Sequence, residues 1–65
     1  MDLKLLGYRN GFAYYALGDS IYRKDYADED LKSARWYSTK AGMNADVKAN
    51  GKLCDETGLV LDLSF

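Results

Sequence analysis

The apolar and polar positions in the first third of the chain read as strands. Leu3 and Leu5, then Leu6 and Tyr8, mark a short strand over residues 2–8. Asn10-Gly11 follows, and this step between apolar runs predicts a hairpin, because both residues tolerate positive φ. Residues 12–17 are rich in aromatics and read as a second strand, closed by the turn-forming Gly18-Asp19-Ser20. Residues 21–26 set Tyr22, Lys24 and Tyr26 against Ile21, Arg23 and Asp25, the pattern of a half-exposed third strand.

The middle of the chain predicts a helix over residues 29–41. Asp28 is placed as its N-cap, Glu29 and Asp30 suit the positive end of the dipole, and Gly42 fits the C′ position. Leu31, Ala34, Tyr37 and Ala41 fall on one face at 100° per residue, a small-residue stripe suited to lying across a sheet. Beyond it, Ala45, Val47 and Ala49 alternate with Asp46 and Lys48, and Asn50-Gly51 offers a second hairpin turn. Residues 52–55 make its return strand, Glu56-Thr57-Gly58 a loop, and residues 59–65 a last strand with Leu59, Leu61, Leu63 and Phe65 in phase. The expectation is one α+β domain over residues 1–65: a small antiparallel sheet with one helix packed across one face, in the order strands, helix, strands.

Composition narrows the chemistry. The chain has 65 residues, no histidine, no proline and one cysteine, yet six tyrosines, two phenylalanines and a tryptophan. A domain of this size hides only about 60% of the surface its unfolded chain exposes, so it normally leans on a disulfide, a metal, a partner or dense packing. Cys54 has no partner within the chain, and zinc held by histidine and cysteine is ruled out by the same count. No cofactor or metal is therefore expected, nor a catalytic site. Cys54 lacks a histidine to activate it, the carboxylates Asp28, Asp30, Asp55 and Glu56 fall in cap or loop settings, and no glycine-rich phosphate cradle or nucleophile elbow is present.

Nine basic residues against ten acidic ones give a net charge of −1, without the basic excess of a protein that lives on phosphate contacts. Nucleic acid is thus a disfavoured partner. No apolar run approaches the roughly 18 residues of a membrane span, no signal-peptide pattern opens the chain, and a lone cysteine suits a reducing, cytoplasmic setting.

The aromatics point to recognition. On a helix, Trp36 projects opposite the apolar stripe, between Lys32 and Lys40 and near the azimuth of Met43; tryptophan there is an interface anchor. The alternatives are lysine stems folded over the ring, or a Trp36 in the core. Tyr14 and Tyr15 must point to opposite sheet faces, so one of them is free for contact. A protein interface of Trp36, Lys32, Lys40, Met43, Tyr14 and Tyr15 follows. The alternative is a single-strand nucleic-acid surface of Tyr22 with Arg9, Arg23 and Lys24, set against plain cross-strand aromatic pairing. A self-associating subunit, such as a homodimer burying the C-terminal strand, is the third reading. The C-terminal Val60-Leu61-Asp62-Leu63-Ser64-Phe65 resembles the short peptides that dock on bacterial sliding clamps, with Val60 where a glutamine usually leads; an ordinary strand gives the same spacing.

In size, aromatic content and layout from Phe12 to Ala49 (paired strands, an acidic-capped helix ending near Gly42, a strand after it), the chain resembles small bacteriophage-encoded inhibitors of host enzymes. These include anti-CRISPR proteins, RNA polymerase inhibitors and toxin-neutralising factors. That resemblance implies stoichiometric binding to a protein target without turnover, and it carries no site residues with it.

Overall fold

In a computed structural model, which describes residues 3–65, four strands form one antiparallel sheet and a single helix follows them. The strands are β1 (Lys4–Arg9), β2 (Phe12–Leu17), β3 (Ser20–Asp25) and β4 (Arg35–Thr39), and they lie side by side in chain order. The helix α1 spans Lys40–Asn50. Local signals set the first two hairpins. Asn10 and Gly11 both take positive φ, 53° and 83°, as a two-residue turn matching the twist of its strands requires.

The α+β class and the helix on one sheet face agree with the sequence, but the helix lies elsewhere. Residues 29–41 are a loop followed by β4 and the start of α1. The Asp28 carboxylate does not cap a helix; it accepts from the Ser33 amide at 2.6 Å, the Ser33 hydroxyl at 2.7 Å and the Asp30 amide at 3.0 Å, closing a loop on itself. Those bonds hold its carboxyl below the usual range, with the Ser33 amide contributing most. The following Arg-Trp-Tyr-Ser-Thr run is aromatic and β-branched, and pairing with β3 overrides its weak helical pattern. Thr39 is the true N-cap, its hydroxyl accepting from the Gly42 amide at 3.1 Å, so Gly42 lies in the first turn rather than beyond the last.

Residues 45–49, expected as a strand, are the body of α1, and Asn50-Gly51 ends it in place of turning a hairpin. The return strands shrink to isolated bridges, Tyr8 with Cys54 and Cys54 with Val60. The acidic-capped helix and following strand, which carry part of the inhibitor resemblance, are therefore absent from this layout.

The core lies between α1, the C-terminal segment and one sheet face. Tyr14, Ala16, Ile21, Met43 and Leu53 are buried there, with Leu6, Phe12, Tyr37, Val47, Leu63 and Phe65 around them. Met43 and Val47 are four apart, which brings both onto the helix face that meets the sheet. The C-terminal segment is fastened along β1: Tyr8 and Cys54 exchange backbone hydrogen bonds of 2.7 and 2.8 Å, and Leu61 donates to Leu53 at 2.8 Å. Asn44 grips the last residue from both sides, donating to the Phe65 carbonyl at 2.8 Å and accepting from its amide at 3.1 Å. Leu61, Leu63 and Phe65 thus belong to a segment folded onto its own domain rather than displayed as a docking peptide.

Gly7 makes this crossing possible. A Cβ there would stand 3.0 Å from both the Cys54 carbonyl oxygen and Leu53 Cβ. Gly7→Ala is expected to cost about 1–3 kcal/mol by overpacking. It should also speed amide exchange at Cys54 and Leu61; exchange unchanged at both amides would show that the crossing tolerates the methyl.

One polar cluster sits inside this apolar layer. Arg9 forms an ion pair with Asp46 at 2.7 Å, and the two side chains are only 7% and 13% exposed. The same guanidinium donates to the Tyr14 hydroxyl at 3.1 Å, the Tyr37 hydroxyl at 3.2 Å and the Gly51 carbonyl at 2.7 Å. Tyr37 donates to Asp46 at 2.5 Å and Asn50 does so at 2.7 Å. β1, β2, β4 and the second half of α1 therefore meet at one charge pair.

Candidate functional site

Among the described residues, no helix lies over the opposite sheet face. Strand registry places Leu5 opposite Tyr15, Tyr15 opposite Tyr22, and Tyr22 opposite Trp36. Directly paired residues share a face, so one row of large side chains crosses all four strands in steps of about 4.8 Å. Trp36 ends the row and is 56% exposed. Beside the row lies a groove of about 250 Å³ whose walls include Leu3, Tyr15, Leu17, Tyr22, Leu31 and Ala34. The loop of residues 26–34 forms its outer wall and is pinned by Asp28 and Ser33, as described above. Lys24 anchors the same loop from beneath, donating to the carbonyls of Asp28 at 2.5 Å and Asp25 at 3.2 Å.

Leu31 is the unusual wall residue. Its φ is +60°, a left-handed conformation costing a non-glycine residue roughly 1–2 kcal/mol. It also leaves a large apolar side chain 47% exposed at the groove mouth. Backbone strain that displays an apolar side chain is a mark of binding surfaces. Leu31→Gly is expected to leave stability unchanged or raise it by up to about 1 kcal/mol in thermal unfolding. A clear fall in melting temperature would instead make Leu31 a packing residue.

The residues singled out from sequence are scattered by this geometry. Trp36 is exposed, but on a strand, so Lys32 and Lys40 are not its helical neighbours: Lys32 is in the loop and Lys40 opens α1. Tyr15 faces the open side while Tyr14, 1% exposed, is in the core, as is Met43 at 0%; neither can belong to a surface patch. Both fail for the same reason, the true position of the helix, which covers the Tyr14 face with Met43.

Arg9, Arg23, Lys24 and Tyr22 do not come together on one surface. Arg9 is held in the Asp46 cluster and Lys24 is buried under the loop. Arg23 stacks on the rings of Phe12 and Tyr37, at 4.2 and 4.6 Å from their centroids, on the helix side. Tyr22 alone faces outward with the row.

Leu3, Leu17, Leu31 and Ala34 line the groove and are not singled out by the sequence pattern as site residues. For Leu17 a signal exists: Ala13, Tyr15 and Leu17 form a second apolar phase in β2, which implies apolar character on both faces. Leu31 has no such signal, because nothing in its neighbours announces a left-handed turn. Among the described residues, no group of three or more histidine, cysteine, aspartate or glutamate side chains could hold a metal ion, and no helix is long and apolar enough to cross a membrane. Compared with protein-family models, curated proteins and solved structures, the chain matches none.

Proposed function

We propose that this protein is a binding domain that acts by occupying the surface of a protein partner, with no turnover of its own. The observation that carries the reading is the row of half-buried Tyr15 and Tyr22 and exposed Trp36 beside an apolar groove. Aromatic side chains on a rigid sheet supply large contact area at little entropic cost, and tryptophan and tyrosine dominate interface energetics. The partner is a protein presenting apolar side chains flanked by carboxylates. Lys32, in the loop beside Leu31, and Arg35, next to Trp36 in the chain, are exposed, and neither has a carboxylate within ion-pair distance among the described residues. Stoichiometric blocking of an enzyme or defence complex, the mode of the small phage inhibitors, is the finer form of this proposal; it is supported by small size and aromatic content.

Trp36 is the sole tryptophan and therefore a built-in reporter. A partner recovered from the source cells, purified and titrated against the full chain should saturate near one-to-one. Trp36 emission should shift to shorter wavelength as the ring leaves water. Saturation with unchanged emission would put the contact elsewhere and overturn the assignment of this face.

A further inference from the structure

The two outer edges of the sheet are treated differently. β1 is covered at Tyr8 by the chain's own C-terminal segment, whereas β4 has no strand or bridge on its outer side among the described residues. An uncovered edge offers a row of peptide N–H and C=O groups to another backbone. The only charge on this edge strand is the Arg35 cation, with no aspartate or glutamate in β4.

Arg35 sharpens the point. Registry sets it directly opposite Arg23, a like-charged cross-strand pair that is destabilising by itself. Neither arginine has a carboxylate within ion-pair distance among the described residues. Arg23 is held by the faces of Phe12 and Tyr37, and Arg35 donates only to the carbonyls of Lys32 and Ala34, at 3.1 and 2.8 Å. Trp36, the next residue, faces the other side of the sheet with Tyr22.

Resting on the binding reading above, we infer that the partner contributes an extended peptide strand with alternating acidic and apolar residues, which adds to the outer edge of β4. Successive side chains of such a strand point to opposite sheet faces. One set meets the Arg23–Arg35 pair, where a carboxylate relieves the repulsion, and the other extends the aromatic row beyond Trp36. A second copy of this chain fits poorly, because β4 contains no carboxylate to set beside Arg35. A nucleic acid has no peptide donors and acceptors to continue the ladder. Charge on an edge strand can simply discourage aggregation, but that role does not account for opposed arginines or for a half-exposed tryptophan on the same edge.

The test begins with the full chain and a displayed library of random 12-residue peptides. Enriched peptides should alternate aspartate or glutamate with apolar residues. Bound to the isotope-labelled protein, they should slow amide exchange along Arg35–Thr39. N-methylation of alternate peptide bonds in the peptide should weaken binding at least tenfold. Arg35→Glu should also weaken it at least tenfold while leaving the melting temperature unchanged or raised, because a carboxylate opposite Arg23 replaces repulsion with attraction. Enrichment of peptides without carboxylates, no enrichment, or self-association through β4 would each overturn strand addition. So would tight binding of an oligonucleotide at this edge. Peptides that perturb Tyr15, Tyr22 and Trp36 without protecting β4 amides would overturn strand addition and leave the face assignment standing. Failure of the Trp36 titration would overturn the face assignment itself.

Discussion

Asp46→Ala is expected to cost about 3 kcal/mol of stability or more, the scale for removing one partner of a buried ion pair. The loss arises less from the bond broken than from the charge left behind. Arg9 would remain inside with its guanidinium bonded only to neutral oxygens, those of Tyr14, Tyr37 and Gly51. For a chain of this length the whole stability is on the order of 3–10 kcal/mol, so this one substitution removes a large share of it. The melting temperature should drop by roughly 15 °C or more. Thermal unfolding of Asp46→Ala beside the double variant Arg9→Met/Asp46→Leu separates the causes. The double variant should recover much of the loss, though not all, since both tyrosine hydroxyls lose a charged partner. If the single variant is as stable as the unmodified chain, the cluster contributes nothing to the fold.

The same cluster sets the pH limits. Burial raises the Asp46 carboxyl, but hydrogen bonds from Tyr37, Arg9 and Asn50 outweigh it and hold the group below the ordinary carboxylate range. A depressed folded-state value means the contribution is complete above about pH 4 and is lost as pH falls through the folded-state value. Tyr37 carries the opposite sign. Its hydrogen bond to Asp46, followed by burial, raises it above the ordinary phenol value of 10.0. That contribution is complete below about pH 10 and is lost as pH rises further through the raised value. Denaturation followed from pH 2 to 12 should show both limbs, and Asp46→Asn should flatten the acid one.

Trp36→Ala is expected to leave the fold within about 1 kcal/mol of the unmodified chain, the usual outcome for an exposed side chain free of special contacts. Its effect on partner affinity should be about 2 kcal/mol or more, roughly 30-fold, as for other tryptophan anchors. Tyr14→Ala is the useful contrast. Tyr14 is buried, so its truncation should cost about 3–5 kcal/mol of stability. Titration calorimetry and thermal unfolding on both variants would separate the two roles. A Trp36→Ala protein that unfolds would make the ring a structural element, and one that binds undiminished would remove it from the interface.

The first 25 residues are legible because their signals are local. Asn10-Gly11 adopts the backbone that its residue types favour, and this two-residue turn sets the register of the hairpin as far as the irregularity between Leu5 and Gly7. The segment from Asp28 to Gly51 misleads because its local signals serve two structures. Asp28 suits a helix cap and an Asx-type loop equally, and the bonds to Ser33 decide for the loop. Asn50-Gly51 suits a hairpin and a helix end equally, and the backbone of α1 decides for the end. A helical stripe of Leu31, Ala34, Tyr37 and Ala41 also exists on paper, but extended pairing with β3 gives Trp36 and Tyr37 separate faces, one facing the groove side and one the core.

By itself, the sequence determined the class of the domain, the two opening hairpins, and a chain with six tyrosines, one tryptophan and no histidine. The tertiary structure alone decided which aromatics are free. Whether Tyr14 or Tyr15 faces the helix depends on where the helix lies. Whether Trp36 stands beside lysines or at the end of an aromatic row depends on which strand it joins. The pairing of Arg9 with Asp46, 37 positions apart, has no local signature at all. Contacts across such distances are set by how the layers stack, and a period of two or of 3.6 along the chain records only which side of its own element a residue takes.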